Sequence, residues 1–221
     1  MNKFLDLLSR GRKSSHSPIG FGSTLTSNHQ RQLLLVASGS NVTTKSQSVL
    51  KCKADALLFD ESILTTLPAL TNQLSDRTWG IQLSKQNDDE LIKLNDHQAD
   101  FLVVQQSTRI NGHQPSPNTG IFLDVLPNLS EPFARALDGL PIDGVTLRGF
   151  QNQPLTFDSL LAIASLRTIC DKYILVELQD SLNSNELNAL CDIGIDGILV
   201  DTEISSINSI NQLAQSLDKL P

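Results

Sequence analysis

The chain has 221 residues, of which 39% are hydrophobic, and a formal net charge of −7. This length suits a single domain, and the apolar fraction is large enough for a core. The negative charge disfavours binding to the phosphate backbone of nucleic acids. No apolar run approaches the roughly 20 residues of a membrane-spanning helix, and the first residues lack a signal-peptide pattern. We therefore expect a cytoplasmic protein that binds no nucleic acid.

The first 31 residues differ from the rest of the chain. Phe4, Leu7 and Leu8 share one face of a short predicted helix, and a basic, serine-rich link follows. Two interpretations stay open for this extension. It closes one end of the fold, with Ile19 and Phe21 as the candidate plug, or it is a basic helix that contacts a membrane surface or binds a protein partner or a second copy of the chain.

Eight short apolar runs recur about every two dozen residues in the rest of the chain. Short runs without strict polar alternation are typical of parallel strands buried on both faces. The runs are Leu33–Ala37, Ala56–Phe59, Trp79–Leu83, Phe101–Val104, Ile121–Val125, Gly144–Leu147, Ile174–Leu178 and Gly197–Val200.

Helix-like segments lie between most of these runs. The segment 105–118 has almost no apolar residues and contains two prolines, so we predict a loop there in place of a fourth helix. Asn183 and Glu186 are spaced as a capping box at the start of the seventh helix. The other predicted helices cover Ser46–Lys53, Ser62–Leu74, Asp88–Gln98, Ser130–Gly139, Thr156–Cys170 and Ser206–Leu220.

This cadence predicts an α/β fold, a single (βα)8 TIM-type barrel over residues 32–221 with a degenerate fourth helix. Closure of the ring removes the exposed sheet edges. The alternative is an open, doubly wound sheet. The first strand is not followed by a glycine-rich phosphate loop, and this favours the barrel.

The C-terminal ends of the strands form the mouth of such a barrel, where its chemistry takes place. Asp124 and Glu177 interrupt apolar runs, and Asp201 directly follows one. A carboxylate in that position is costly to desolvate unless it is paired or binds a cation. We predict that these three acids are catalytic, either as general acid and base or as oxygen ligands of a cation such as Mg²⁺.

Four further residues at strand ends are predicted to bind substrate. Arg148, between the fifth and seventh strands, is a candidate counter-ion for the acids and an anchor for an anionic substrate. The other three are Gln105, Lys85 and Asp60.

The same residues allow a structural interpretation. The charged side chains then form a salt-bridge network that only closes the top of the barrel, and Asp60 and Asp201 act as helix caps.

Residues 194–200 read Gly-Ile-Asp-Gly followed by three aliphatic residues, and 141–147 has a similar form. These stretches resemble the strands of phosphate-binding barrels such as indole-glycerol-phosphate synthase and its relatives. In those families a glycine-bearing turn and a helix N-terminus hold a phosphate. Here the acids Asp201 and Glu203 follow the last strand. The resemblance implies the barrel fold, and the departure speaks against phosphorylated substrates and flavin mononucleotide.

Two functions remain open. In the first, the barrel binds a small molecule or a protein partner at its mouth without catalysis. In the second, it is a lyase- or isomerase-type enzyme that uses the carboxylate cluster, with or without Mg²⁺.

Overall fold

The computed structural model describes residues 2–14, 31–39, 49–83, 99–108, 116, 118–150 and 154–220. Eight parallel strands form a closed barrel in sequence order, which confirms the predicted fold. Each predicted apolar run is a strand, with ends within two residues of the predicted ones. The strands are β1 (Leu34–Gly39), β2 (Ala56–Asp60), β3 (Thr78–Leu83), β4 (Phe101–Val104), β5 (Gly120–Val125), β6 (Gly144–Leu147), β7 (Tyr173–Glu177) and β8 (Gly197–Asp201).

Six α-helices lie within the described ranges. They are α1 (Lys3–Ser14), α2 (Leu67–Leu74), α3 (Glu131–Ala136), α4 (Phe157–Ile169), α5 (Ser184–Ile193) and α6 (Ile207–Leu217). The predicted helix 88–98 lies outside the described residues, and so do residues 46–48 of the predicted helix 46–53 and most of the predicted loop 105–118. None of the described helices is long and apolar enough to span a bilayer.

The predicted helix Ser62–Leu74 consists of two pieces. A 3-10 helix covers Glu61–Thr65, and α2 begins at Leu67. Pro68 accounts for the break, because proline lacks an N–H and is tolerated only in the first turn of an α-helix.

The predicted helix starts after β6 and β7 are confirmed by their caps. Thr156 accepts a hydrogen bond from the Ser159 N–H at the start of α4. At the start of α5, Asn183 and Glu186 form the predicted capping box.

Alternate residues of each strand pack in two separate cores. Side chains facing outward pack beneath the helices. Those facing inward fill the barrel lumen, which we define by Leu34, Val36, Ala56, Leu58, Phe101, Val103, Phe122, Leu175 and Leu199. Glycine is required where a ring fills this space: a Cβ on Gly80 would lie 2.7 Å from the Phe101 ring. Since side chains alternate along a strand, a residue two positions beyond a lumen residue of the same strand also faces the lumen.

The helix α1 covers the N-terminal opening of the barrel. Phe4 is fully buried and stacks on Phe101 with the ring centroids 3.9 Å apart. Leu8 is buried in the same cluster. The apolar face of α1 therefore packs against the barrel itself. Ile19 and Phe21 lie outside the described residues, and the domain boundary at residue 31 stays a prediction.

Arg12 fastens the far end of α1 to the barrel. Its guanidinium contacts Asp196, with Nη2 3.0 Å from Oδ2, and donates to the Lys172 carbonyl at 2.8 Å. It also lies over the Tyr173 ring, 4.3 Å from the centroid. The side chain of Asp196 is 1% exposed, so this ion pair is shielded from solvent on the carboxylate side.

Four aspartates fasten the N-terminal rim of the barrel, one before each even-numbered strand. Each carboxylate accepts the N–H of the second residue of the preceding odd strand. The pairs are Asp55 with Leu35 (2.8 Å), Asp100 with Trp79 (3.1 Å), Asp143 with Ile121 (2.8 Å) and Asp196 with Ile174 (2.8 Å). In all four, the aspartate N–H donates to the carbonyl of that same partner. We call these four paired contacts the aspartate clamps.

The clamps also reach the next odd strand along the chain. The carbonyl of Asp100 accepts from Gly120, and that of Asp143 accepts from Tyr173. The carbonyl of Asp196 accepts from Leu34, which joins the last strand to the first. Each of these three aspartates thus binds to the two strands that flank its own, and the contacts repeat around the ring.

Replacement of Asp143 tests the stabilisation that a clamp provides. We expect Asp143→Ala to lower the free energy of unfolding by about 1.5–3 kcal/mol, because it leaves the Ile121 N–H without its charged acceptor. Asp143→Asn keeps an acceptor oxygen and is expected to lower it less. Urea unfolding followed by the fluorescence of Trp79 measures both. The matched control is Asp76→Ala at an exposed turn, and an equal loss in that variant would contradict the clamp's role.

Candidate functional site

A single guanidinium occupies the centre of the barrel mouth. Arg148 follows β6 and donates to side chains from three other strands. Its Nε lies 2.9 Å from Asp124 Oδ1 in β5, and its Nη1 lies 3.0 Å from Glu177 Oε1 in β7. Its Nη2 lies 2.7 Å from Gln82 Oε1 in β3. We call these four residues the Arg148 cluster.

The strand register explains this convergence. Asp124 lies two residues beyond the lumen residue Phe122, and Glu177 lies two beyond Leu175, so both face the lumen. Gln82 has the same relation to Gly80. Closure of the ring then brings these side chains to one level near the C-terminal rim.

Both acids of the cluster are largely removed from water. The side chain of Glu177 is 3% exposed and that of Asp124 is 12% exposed. Burial raises the pKa of Asp124, and the Arg148 charge opposes this rise. Burial also raises the pKa of Glu177, which Arg148 lowers and the charges of Asp124 and Asp201 raise further. Each carboxyl group therefore holds its proton to a higher pH than in water.

The described part of the mouth carries a net negative charge when these acids are ionised. Two carboxylates and one guanidinium in the Arg148 cluster give a net charge of −1. Asp201 at the end of β8 adds a further negative charge that acts on Glu177. This charge favours a cation over an anion at the Arg148 cluster.

Asp60 is the helix cap predicted for it, whereas Asp201 caps only a turn, because the N-cap of α6 is Ser206. Asp201 Oδ1 accepts the Glu203 N–H at 2.8 Å. Asp60 Oδ1 accepts the Ser62 N–H at 2.9 Å at the start of the 3-10 helix, and the Ser62 hydroxyl as well. Within the described ranges, the guanidinium of Arg148 donates to Asp124, Glu177 and Gln82 and not to Asp60 or Asp201. These two acids therefore lie outside the Arg148 cluster.

The remaining candidates have different positions. Gln105 follows β4 and forms a turn in which its carbonyl accepts the Thr108 N–H at 2.9 Å. Lys85 lies outside the described residues. The acceptor Gln82 is not among the predicted binding residues, because nothing in the local sequence of β3 indicates a contact with a residue 66 positions later.

A second residue that the sequence did not indicate is Thr146, in β6. It is fully buried, and its hydroxyl has no hydrogen-bond partner within the described part of the chain. Thr146 lies opposite Asp124 in the register of the neighbouring strand, two residues beyond Gly144, whose position meets the lumen ring of Phe122. It therefore faces the lumen directly below Arg148.

The turn after β8 uses its own backbone donors. The Thr202 N–H donates to the Ser38 carbonyl at 2.8 Å. The Glu203 N–H donates to the Asp201 side chain, and the Ser205 N–H donates to the Asp201 carbonyl at 2.9 Å. A phosphate held at this turn requires free N–H groups, and these three are engaged within the protein. Across the described ranges, no three His, Cys, Asp or Glu side chains are grouped closely enough to hold a metal ion.

The fold and this rim define the chain as a TIM-type barrel, and comparison with known proteins agrees. No protein-family model matches the chain, and no curated protein matches it. KGPDC from Streptococcus mutans has the same fold, with a TM-score of 0.64 and 11% identity over 85% of this chain and 98% of that chain.

Two proteins of Pyrococcus furiosus are similar to the same degree. A mutant tryptophan synthase alpha-subunit gives a TM-score of 0.62 at 11% identity, over 85% of this chain and 97% of that chain. Thiamine phosphate pyrophosphorylase gives 0.59 at 13% identity, over 84% and 96%. The resemblance to phosphate-binding barrels is thereby confirmed at the level of the fold, without a specific family.

The raised pKa of Asp124 predicts a pH-dependent stability. As the pH rises above the ordinary aspartate value of 3.8, the unfolded chain loses this proton before the folded protein does. The free energy of unfolding of the wild type should therefore fall relative to that of Asp124→Asn until the pH passes the raised value. Urea unfolding across this pH range measures the difference. Glu177→Gln should show the same sign. A free energy of unfolding of the wild type that rises with pH relative to that of either variant would contradict the effect of burial.

Proposed function

We propose that the barrel binds a small molecule at its C-terminal mouth, and that the bound group is cationic or rich in hydrogen-bond donors rather than a phosphate. The observation that carries this proposal is the Arg148 cluster. It places three acceptor side chains from three strands around one donor group, with a net negative charge.

The energetics of buried ion pairs support a functional role for the cluster. Desolvation offsets much of the attraction between buried charges, and apolar side chains of similar volume often stabilise a protein as well or better. The lumen below is filled by such side chains. The charged side chains of the Arg148 cluster lie at the mouth, where barrels of this type bind their ligands. This position favours binding over structural closure as their role.

The turn after β8 supports the second part of the proposal. Its backbone donors are engaged with Ser38 and Asp201, and the carboxylate of Asp201 lies where an anion would otherwise be held. A phosphorylated ligand would meet charge repulsion there without the compensating N–H groups.

Acid–base catalysis of the lyase or isomerase type is the second candidate function. It is favoured by the raised pKa of Asp124 and of Glu177, which burial causes in both. A carboxyl group that exchanges its proton nearer to neutral pH is a more effective general acid or base. Arg148 would then hold the two carboxyl groups in position.

A binding screen tests the proposal directly. We expect agmatine, putrescine or methylammonium to raise the melting temperature of the wild type, whereas inorganic phosphate does not. Asp124→Asn and Glu177→Gln should abolish the rise, because each removes a negative charge from the mouth. Asp76→Asn removes a charge from an exposed turn and should leave the rise unchanged. Mg²⁺ and Mn²⁺ form a separate arm of the screen.

Two results would decide against the proposal. A response to phosphate that persists in Asp124→Asn would indicate an anion site, and no response to any probe would favour a purely structural cluster. Ligands that bind are then incubated with the protein in D₂O. Incorporation of deuterium at carbon, lost in Asp124→Asn or Glu177→Gln, would favour the catalytic function.

A further inference from the structure

We propose that the guanidinium of Arg148 occupies the subsite in which the cationic group of the ligand binds. An amine, amidine or guanidine of the ligand then displaces Arg148 from Asp124, Glu177 and Gln82. This inference rests on the proposed function and names the chemical class of the ligand. It assigns the three side chains around Arg148 as a cation-binding site.

The acceptor set fits a nitrogen cation. Two carboxylates and the Gln82 carbonyl oxygen present only acceptors to the guanidinium, at 2.7–3.0 Å. Charge-assisted hydrogen bonds of this kind are the strong ones in proteins, and planar N–H donors match carboxylate oxygens. A ligand that carries the same donors can make the same contacts, whereas an anion or an apolar group cannot.

The Thr146 hydroxyl is the second, independent observation. It is fully buried, faces the lumen beside Asp124, and is left without a hydrogen-bond partner by Arg148. An unsatisfied buried hydroxyl destabilises the folded state. An alkylammonium group has three N–H donors that point in different directions. Bound between the two carboxylates, it can direct one of them to this hydroxyl, which the planar guanidinium does not reach.

The exchange requires only the side chain of Arg148 to move. Its backbone N–H is fixed to the Val125 carbonyl at 3.0 Å. Its side chain is 23% exposed, so the guanidinium already borders the solvent at the mouth. A long, flexible side chain can rotate outward from this position while the strand stays in place.

Chemical rescue of Arg148→Ala tests whether the three acceptors form a cation site. We expect low millimolar guanidinium to raise the melting temperature of this variant, by about 3–6 °C at tenfold its dissociation constant. Urea has a similar shape without the charge and should give no rise. The control is Arg135→Ala, which removes an exposed arginine paired with Glu131 and keeps Arg148, so guanidinium should raise its melting temperature no more than that of the wild type.

A second variant tests the contact to the Thr146 hydroxyl. In the Arg148→Ala background, Thr146→Val should weaken the response to methylammonium and leave the response to guanidinium almost unchanged. If Arg148→Ala does not fold alone, refolding is compared with guanidinium, with urea and without additive. Folding that needs guanidinium supports the inference. Rescue that is absent, or equal with urea, overturns it.

The wild type tests the exchange itself. The Nε–H signal of Arg148 is followed by NMR while agmatine is added. We expect this N–H to lose its protection from exchange with solvent when agmatine binds. We also expect Asp124→Asn to abolish the binding. Binding of a small molecule at the mouth with this signal unchanged overturns the inference and leaves the proposed function standing. If the wild type binds nothing while Arg148→Ala binds guanidinium, the proposed function fails and ligand exchange fails with it.

Discussion

The aspartate clamps fix the register of the strands at the N-terminal rim of the barrel. A parallel barrel must hold every strand in one register, because a shift by one residue would turn the lumen side chains outward. Each clamp fixes an even strand to the preceding odd strand through the second residue of the latter. The contact from Asp196 to Leu34 closes the ring. The N-terminal rim is thus fixed by charged acceptors on backbone donors, and α1 covers the opening inside it.

The opposite rim shows what this register makes possible. The lumen positions at the C-terminal ends carry polar and charged side chains, and the fixed register brings those of β3, β5 and β7 to one guanidinium. The two rims therefore use charge differently. At the N-terminal rim, carboxylates bind backbone N–H groups and define the fold. At the C-terminal rim, carboxylates bind a side chain that an external cation can imitate.

The strands could be predicted because a strand buried on both faces must be apolar over its whole length. The acids Asp124 and Glu177 were recognisable because they interrupt such runs, and Arg148 because the order of the strands puts it between them. The contact between Gln82 and Arg148 was not recognisable, since the two residues are brought together only by closure of the ring. Thr146 carries no sequence signal, because its lack of a partner is a property of the packing.

The aspartate clamps have a signal in the sequence, and two of the four aspartates lie in the stretches that resemble phosphate-binding barrels. The Asp-Gly pairs at the start of β6 and β8 are part of the resemblance to phosphate-binding barrels. The same aspartate position precedes β2 and β4, where alanine and phenylalanine follow it. The repeated feature is therefore the aspartate before an even strand, and the glycine serves the lumen packing instead. An aspartate at the same position of alternate units is therefore the sequence signal of all four aspartate clamps.

A double-mutant cycle between Gln82→Leu and Arg148→Met measures whether closure of the ring brings these two side chains together. Gln82 lies in β3 and Arg148 follows β6, and these two strands are not neighbours in the barrel. We expect a coupling free energy of about 0.5–3 kcal/mol in urea unfolding. Losses that add within about 0.3 kcal/mol would mean that the two side chains do not meet, and would contradict this expectation.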